Sequence, residues 1–453
     1  MLQSVNPATG EKLASAPALS TAEARAVIER IADGFSQWRC TSYTERAQIL
    51  RRMAAAMREA KGELADLMAL EMGKPVAEGL AEVEKSAGCA EYYADNAEAL
   101  LAPELLASDA SRSYVRFPPL GTVLGILPWN APVWLALRFL APALMAGNTC
   151  VMKADPNVPA TAACLTRVFY SAGLPDTAMA NLPVTTAQVG AAIDHPRVKA
   201  VSFTGSSVAG QKVAARAAAG LKPAVLELGG SDPCIVLADA DLDKAADVVT
   251  LSRMINAGQS CIAAKRLLVE TSVYGSFTER LYQRFAALKA GDPRDPASNL
   301  GPLAREDLRL QLHRQVSQTI AAGARCLIGG DLPAGAGYFY PPTLLLDVQP
   351  GMAAFEEETF GPVLSVTAVA DLDEALALAN ATDYGLGASI WTRSQASMDK
   401  AIATLESGQI AVNGIVKTDP RLPSGGIGKS GYGRELGPQG IREFVNTQQV
   451  WIA

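Results

Sequence analysis

Apolar residues in the first hundred positions recur three and four apart among Glu, Arg and Ala, the period of amphipathic helices. Three runs carry it: TAEARAVIERIADGFSQW (21–38), YTERAQILRRMAAAMREAKGELADLMALEMG (43–73) and VAEGLAEVEKSAGCAEYYADNAEAL (76–100). Thr21 and Thr44 stand where N-caps are expected, and Gly73 with Pro75 stops the second run. Alternation follows in SRSYVRFP (111–118), which predicts a strand.

From residue 119 the pattern changes. Short apolar or β-branched runs, TVLGILP, TCVMK, VKAVSF, AVLEL and PCIVL, alternate with helical runs such as PATAACLTRVFYSAG and SSVAGQKVAARAAAG. That alternation predicts βαβ units and a parallel sheet, an α/β fold. A second set begins after Asp239: a helix over DLDKAADVVTLSRMINAG (241–258), a strand over KRLLVE, a helix over YGSFTERLYQRFAALKAG, then further pieces to about residue 425. A boundary is expected near 230. The tail GIREFVNTQQVWIA ends in alternating apolar residues, a terminal strand that needs a partner edge.

Composition narrows the function classes. A chain of 453 residues is expected to form two or three lobes. A net charge of −6 argues against nucleic-acid and anionic-membrane partners, which select a basic face. The stretch MLQSVNPATGEKLASAP lacks the basic and apolar regions of a signal peptide. The apolar segment 134–147 carries Arg138 and Pro142 and is too short to span a bilayer. A cytoplasmic protein is therefore expected. Seven scattered cysteines without a CxxC fit reduced thiols, and only two histidines, His195 and His313, argue against a metal site.

Four short stretches carry candidate chemistry. INAGQSCIAAKR (255–266) holds Cys261, either a buried filler or a nucleophile. A free thiol ionises near pH 8.5, so a fast nucleophile needs neighbours that favour the thiolate. ELGG (227–230) places Glu227 at the end of a strand, as a general base or a solvated turn carboxylate. FTGSSVAG (203–210) closes a strand and opens a helix whose free N–H groups suit a phosphate, although its glycine spacing matches neither the dinucleotide fingerprint nor a P-loop. LPWNAP (127–132) offers the Asn130 amide to a developing oxyanion, or to its own turn.

In that order and at those separations, PWN, FTGS, ELGG, GQSC, EETFGPV and GYGRELG resemble the NAD(P)-dependent aldehyde dehydrogenase superfamily, from NPATGE (6–11) to residue 437. The resemblance implies a Rossmann-type cofactor domain (1–103 and 119–230), an α/β catalytic domain (231–437) and a small β oligomerisation arm (104–118 and 438–453). A homodimer or homotetramer is the expected assembly. It implies that Cys261 attacks an aldehyde to give a thiohemiacetal, that hydride passes to the nicotinamide, and that water hydrolyses the thioester. Glu227 matches the base that activates this water, and Asn130 the oxyanion-hole residue. The glutamate favours hydrolysis over transfer to coenzyme A. Glu358 and Phe360 match residues that hold the nicotinamide ribose and ring, Lys153 the lysine at the adenosine ribose, and Gly205 and Ser206 the pyrophosphate loop. Trp129 lies along the same groove. Where NAD-preferring relatives carry Glu, this chain has Pro156, so NADP is expected to be accepted alongside NAD.

For the substrate, PVWxxxxR resembles bacterial succinate-semialdehyde dehydrogenases, in which this arginine, here Arg138, faces the substrate carboxylate. A buried guanidinium needs an anionic partner, so the alternative is a structural acid. Two departures stand out: Ile255 replaces a second arginine found in some members of that class, and Ala131 replaces a common aromatic residue. Trp134 and the segment 417–422 are expected as pocket walls. The competing readings are a broad-specificity aliphatic or aromatic aldehyde dehydrogenase and a non-catalytic cofactor-binding relative.

Overall fold

The structure, a computed structural model, describes residues 1–453. Helices Thr21–Trp38 and Tyr43–Glu59 begin at Ser20 and Ser42. Each serine accepts from the backbone N–H three residues on, and the glutamate there, Glu23 or Glu45, returns a bond to the serine N–H. The caps are thus these serines rather than Thr21 and Thr44, because only the serines have a glutamate at the reciprocating position. The long second run breaks at Ala60, and a separate helix, Lys61–Met72, ends at Gly73 with a left-handed φ of 80°. Val76–Leu100 follows, and Pro132–Met145, buried along its whole length, packs against this helical layer.

Three sheets organise the rest. One has six strands in the order Gly431–Tyr432, Ala224–Glu227, Val198–Thr204, Thr122–Leu127, Thr149–Ala154 and Met179–Asn181. All its pairings are parallel except the first. Another has seven strands, Arg325–Ile328, Thr343–Leu346, Val363–Val369, Arg266–Glu270, Pro233–Val236, Gly387–Trp391 and Gln409–Val412, again parallel after the first pair. Strands covered on both faces read as unbroken apolar runs, which is why TVLGIL is buried at every position. The third sheet pairs Glu104–Leu105, Arg112–Arg116 and Gln448–Ile452 antiparallel. There the terminal strand finds its edge within the chain, Val450 opposite Tyr114. No helix is long and apolar enough to cross a membrane.

In the six-stranded sheet the strand Thr122–Leu127 lies between Val198–Thr204 and Thr149–Ala154. The chain first steps from it to Thr149–Ala154 and Met179–Asn181 on one side, then crosses back to Val198–Thr204 on the other; open α/β sheets form their crevice at such a switch, beyond the carboxyl ends of the strands. The stretches 127–132, 203–206 and 227–230 all leave that edge. The late segment GYGRELG joins them, with Gly431 opposite Glu227.

Candidate active site

A cavity of about 1670 Å³ opens at this edge, walled on one side by strand ends of the six-stranded sheet and on the other by helix and loop residues in 251–263, 305–315, 356–360 and 415–418. Cys261, Asn130 and Glu227 line one part of it, with Arg138 and Trp134 beside them. Lys153, Gly205, Ser206, Glu358, Phe360 and Trp129 line the remainder. Pro156 lies outside the wall, where Asp155 takes part instead. Of the segment 417–422, Lys417 and Thr418 reach the cavity.

The predicted helix over 241–258 stops at Met254. Asn256, Ala257 and Gly258 then adopt φ of 54°, 52° and 73°, a left-handed turn that carries the chain to Cys261. Apolar periodicity does not register such a reversal. Left-handed non-glycine residues cost on the order of 1–3 kcal/mol each, so the turn must be held. At Gly258 a Cβ would lie 2.3 Å from the Gly361 carbonyl oxygen, which leaves room only for glycine. Arg253, fully buried, donates through Nη2 to the carbonyls of Gly258 (2.7 Å), Thr359 (3.1 Å) and Gly361. The Asn256 N–H donates to Glu78 at 2.8 Å, and Ala304 N–H donates to Gln259 Oε1 at 2.8 Å.

Asn130 is held from its backbone and leaves its amide available. Its carbonyl accepts from Lys74 Nζ and Asn256 Nδ2, both at 2.8 Å. Its Nδ2 donates one hydrogen to the Gln259 carbonyl at 3.1 Å, and the amide carries a second hydrogen. Glu82 fixes the adjoining helix: Oε1 accepts from Val133 N–H (2.9 Å) and Trp134 N–H (3.0 Å), while Oε2 pairs with Lys74. These are the unsatisfied N–H groups that every helix start presents.

Charge at the floor is shared among three groups. Arg138 lies between Glu435 and Glu227, its Nη2 3.2 Å from Glu227 Oε2. Ser202 Oγ donates to Glu435 at 3.2 Å. The arginine therefore has internal acids as partners. Glu227 is buried, and burial pushes its pKa up to about 7; Arg138 pulls it down and Glu435 pushes it further up. Glu227 Oε1 has no hydrogen-bond partner in the chain. The Cys261 thiol is pushed up to about 11 by burial, against the pull of Lys265 and then Arg138, with Glu227 and Glu358 acting in the raising direction. It therefore rests protonated at neutral pH, and attack requires a base.

Lys265, fully buried, donates to the Cys261 carbonyl and lies 3.3 Å from Glu358 Oε1, which also accepts from Gly230 N–H at 3.1 Å. Trp129 and Phe360 meet edge-to-face with centroids 5.9 Å apart. Ser206 caps the helix Ser207–Ala219, whose N-terminus opens on the cavity, and at Gly205 a Cβ would sit 2.6 Å from the Phe203 ring. A helix start for a pyrophosphate, Lys153, Lys212, Arg216 and Arg305 as cations, and Glu358 for a ribose hydroxyl make a donor set that fits a phosphorylated dinucleotide.

Sequence reasoning missed Lys74, Glu78, Glu82, Arg253, Lys265 and Glu435. Glu435 sits inside GYGRELG, and Arg253 and Lys265 flank GQSC. For these three, nearness to the motifs is the signal that points to them; Lys74, Glu78 and Glu82 lie near no motif, and they reach Asn130, Asn256 and Val133 only across more than fifty residues.

The model of the aldehyde dehydrogenase family matches residues 1–450. The chain is 46% identical to succinate-semialdehyde dehydrogenase [NADP(+)] 1 of Mycobacterium ulcerans, over 100% of this chain and 99% of that protein. It is 45% identical to the protein of the same name from Mycobacterium tuberculosis, over the full length of both. Among solved structures, the succinic semialdehyde dehydrogenase of Streptococcus pyogenes in complex with NADP+ superposes with a TM-score of 0.97 at 33% identity, covering 100% of each chain.

Proposed function

This chain belongs to the aldehyde dehydrogenase family, and we propose that it oxidises succinate semialdehyde to succinate, with NADP and also NAD as hydride acceptor. The observation that carries the reading is that Cys261, Asn130 and Glu227 line one cavity, with Glu227 poised near neutrality and one of its oxygens unpartnered.

The chain's own groups act as follows. Cys261 Sγ gives up its proton to a base and bonds to the aldehyde carbon. Asn130 Nδ2 and the Cys261 N–H donate to the oxygen as it becomes negative. A bound dinucleotide would supply the hydride acceptor; Glu358 and Phe360 would hold its nicotinamide ribose and ring, Gly205 and Ser206 its pyrophosphate, and Lys153 its adenosine ribose. Loss of hydride leaves a thioester on Sγ. Glu227 removes a proton from water as its oxygen attacks that carbon. The C–S bond then breaks, the acid departs and the thiol is restored.

The same reading divides the chain into a cofactor-binding domain (1–103 and 119–230), a catalytic domain (231–437) and an arm (104–118 and 438–453). Open edge strands at Glu104–Leu105 and Gln448–Ile452 support a homodimer or homotetramer built through that arm. A cytoplasmic setting suits its seven free thiols. The decisive experiment is a matrix of initial rates for succinate semialdehyde and butanal against NADP and NAD. Higher kcat/KM for the semialdehyde with both cofactors is the expected result. Equal rates on the two aldehydes, or more than about a hundredfold preference for NAD, overturn the respective halves of the reading.

A further inference from the structure

We propose that Lys265 is a positioning residue for the nucleophile: it pins the Cys261 peptide and supplies the positive field in which the Cys261 thiolate forms. This rests on Cys261 being the nucleophile of the reading above. The need follows from the surroundings of the thiol. Burial opposes its ionisation, and the nearby carboxylates of Glu227 and Glu358 oppose it further. Two cations act the other way, Lys265 and then Arg138. Arg138 divides its charge between Glu227 and Glu435, whereas Lys265 has one acid within ion-pair distance, Glu358 at 3.3 Å.

Sheet topology brings the lysine there. Strands Pro233–Val236 and Arg266–Glu270 lie side by side and parallel, with Pro233 opposite Arg266. The residues just before them, Asp232 and Lys265, are therefore neighbours at one end of the seven-stranded sheet, and the Lys265 N–H donates to the Asp232 carbonyl at 3.0 Å. From the other side the Lys265 carbonyl accepts from Ser365 Oγ at 3.0 Å. With its backbone held twice, the fully buried side chain turns back toward the loop it has just left, and Nζ donates to the Cys261 carbonyl. The slot is tight: a Cβ on Gly230 would lie 2.9 Å from that carbonyl oxygen and 2.7 Å from Asp232 Oδ1.

A buried cation is costly unless its surroundings answer it. The acids facing this one are Glu358 and Asp232; Arg266 faces Asp232 in turn, and Arg253 faces both acids. Burial pushes Asp232 up to about 7, with Lys265 the strongest pull the other way, so near neutrality Asp232 offsets only part of the lysine's charge. The Cys261 carbonyl and Sγ belong to one residue, so an ammonium bonded to the oxygen acts on the sulfur at close range without touching it. When a base takes the thiol proton, a cation is already in place for the thiolate and no side chain has to move.

The test follows alkylation of Cys261 by iodoacetamide at about pH 8, with no dinucleotide added, read by peptide mass spectrometry against the exposed Cys40 as internal reference. Lys265→Gln keeps a donor for the carbonyl and removes the charge. It is expected to slow Cys261 about threefold or more, a roughly tenfold loss of thiolate partly offset by the greater nucleophilicity of a more basic sulfur. Glu358→Gln, which frees the ammonium from its ion pair, is expected to speed the reaction about threefold. A folded Lys265→Gln that reacts at the wild-type rate overturns the proposal. Should that variant not fold, Glu358→Gln decides, and a rate no faster than wild type overturns it. Turnover that survives in Cys261→Ala sinks the functional reading as a whole; an inactive Cys261→Ala beside an unaltered Lys265→Gln sinks only the part given to Lys265.

Discussion

Two arginines are buried under one cavity and answered in opposite ways. Arg138, within Pro132–Met145, meets the carboxylates of Glu227 and Glu435. Arg253, in the last turn of Leu242–Met254, meets three backbone carbonyls and no acid within ion-pair distance. Carbonyl oxygens do not titrate, so the Arg253 region keeps its shape across pH, clamping the left-handed turn before Cys261. Carboxylates do titrate, so the Arg138 region sets how tightly Glu227 holds a proton. On the proposed mechanism, one charge holds the backbone of the nucleophile and the other tunes the base.

Replacing Cys261, the atom both regions serve, is expected to have the largest effect. In Cys261→Ala turnover drops to background on every aldehyde while Tm moves by less than about 2 °C; residual steady-state turnover would dissolve the link between the two regions. Glu227→Gln lowers kcat by about 10²–10⁴-fold yet retains a burst of NADPH, because hydride departs before the water step. Stopped-flow absorbance separates burst from steady state. Arg253→Met, which frees three carbonyls at once, lowers unfolding free energy by about 3 kcal/mol in urea titration and reduces kcat without moving its pH inflection.

The smallest effect is the sharpest. With a Glu227 pKa of about 7, kcat rises through that pH as the carboxylate form of the base accumulates. Arg138→Met removes a cation and shifts the inflection up, Glu435→Gln removes an anion and shifts it down, each by about one pH unit. Stability runs the other way. A glutamate in the unfolded chain ionises near pH 4.3, so between there and about 7 the folded state keeps a proton the unfolded state has lost. This contribution is complete at low pH and disappears as pH rises through 7. If Arg253→Met shifts the inflection as far as Arg138→Met does, the division between clamp and bias is lost.

The helices and strands were largely legible because hydrophobic period is a local property. TAEARAVIERIADGFSQW and VAEGLAEVEKSAGCAEYYADNAEAL read off as helices, although the cap of the first is Ser20 rather than Thr21. The break at Ala60 and the reversal at Asn256–Gly258 were not, since neither alters the period of apolar residues. The motifs singled out Cys261, Asn130 and Glu227, and the three line one cavity. Arg138 was legible as a charge in need of a partner, but not as to which one.

The amino-acid sequence by itself determined the order of elements, the α/β class and the residue types offered to the chemistry, because each rests on neighbours a few positions away. Only the tertiary structure decided which charges meet. Arg138 comes to Glu435, Lys265 to Glu358 and Lys85 to Thr418 through sheet order and helix packing, and desolvation, which sets the proton affinities of Glu227 and Cys261, exists only once the lobes have closed around them.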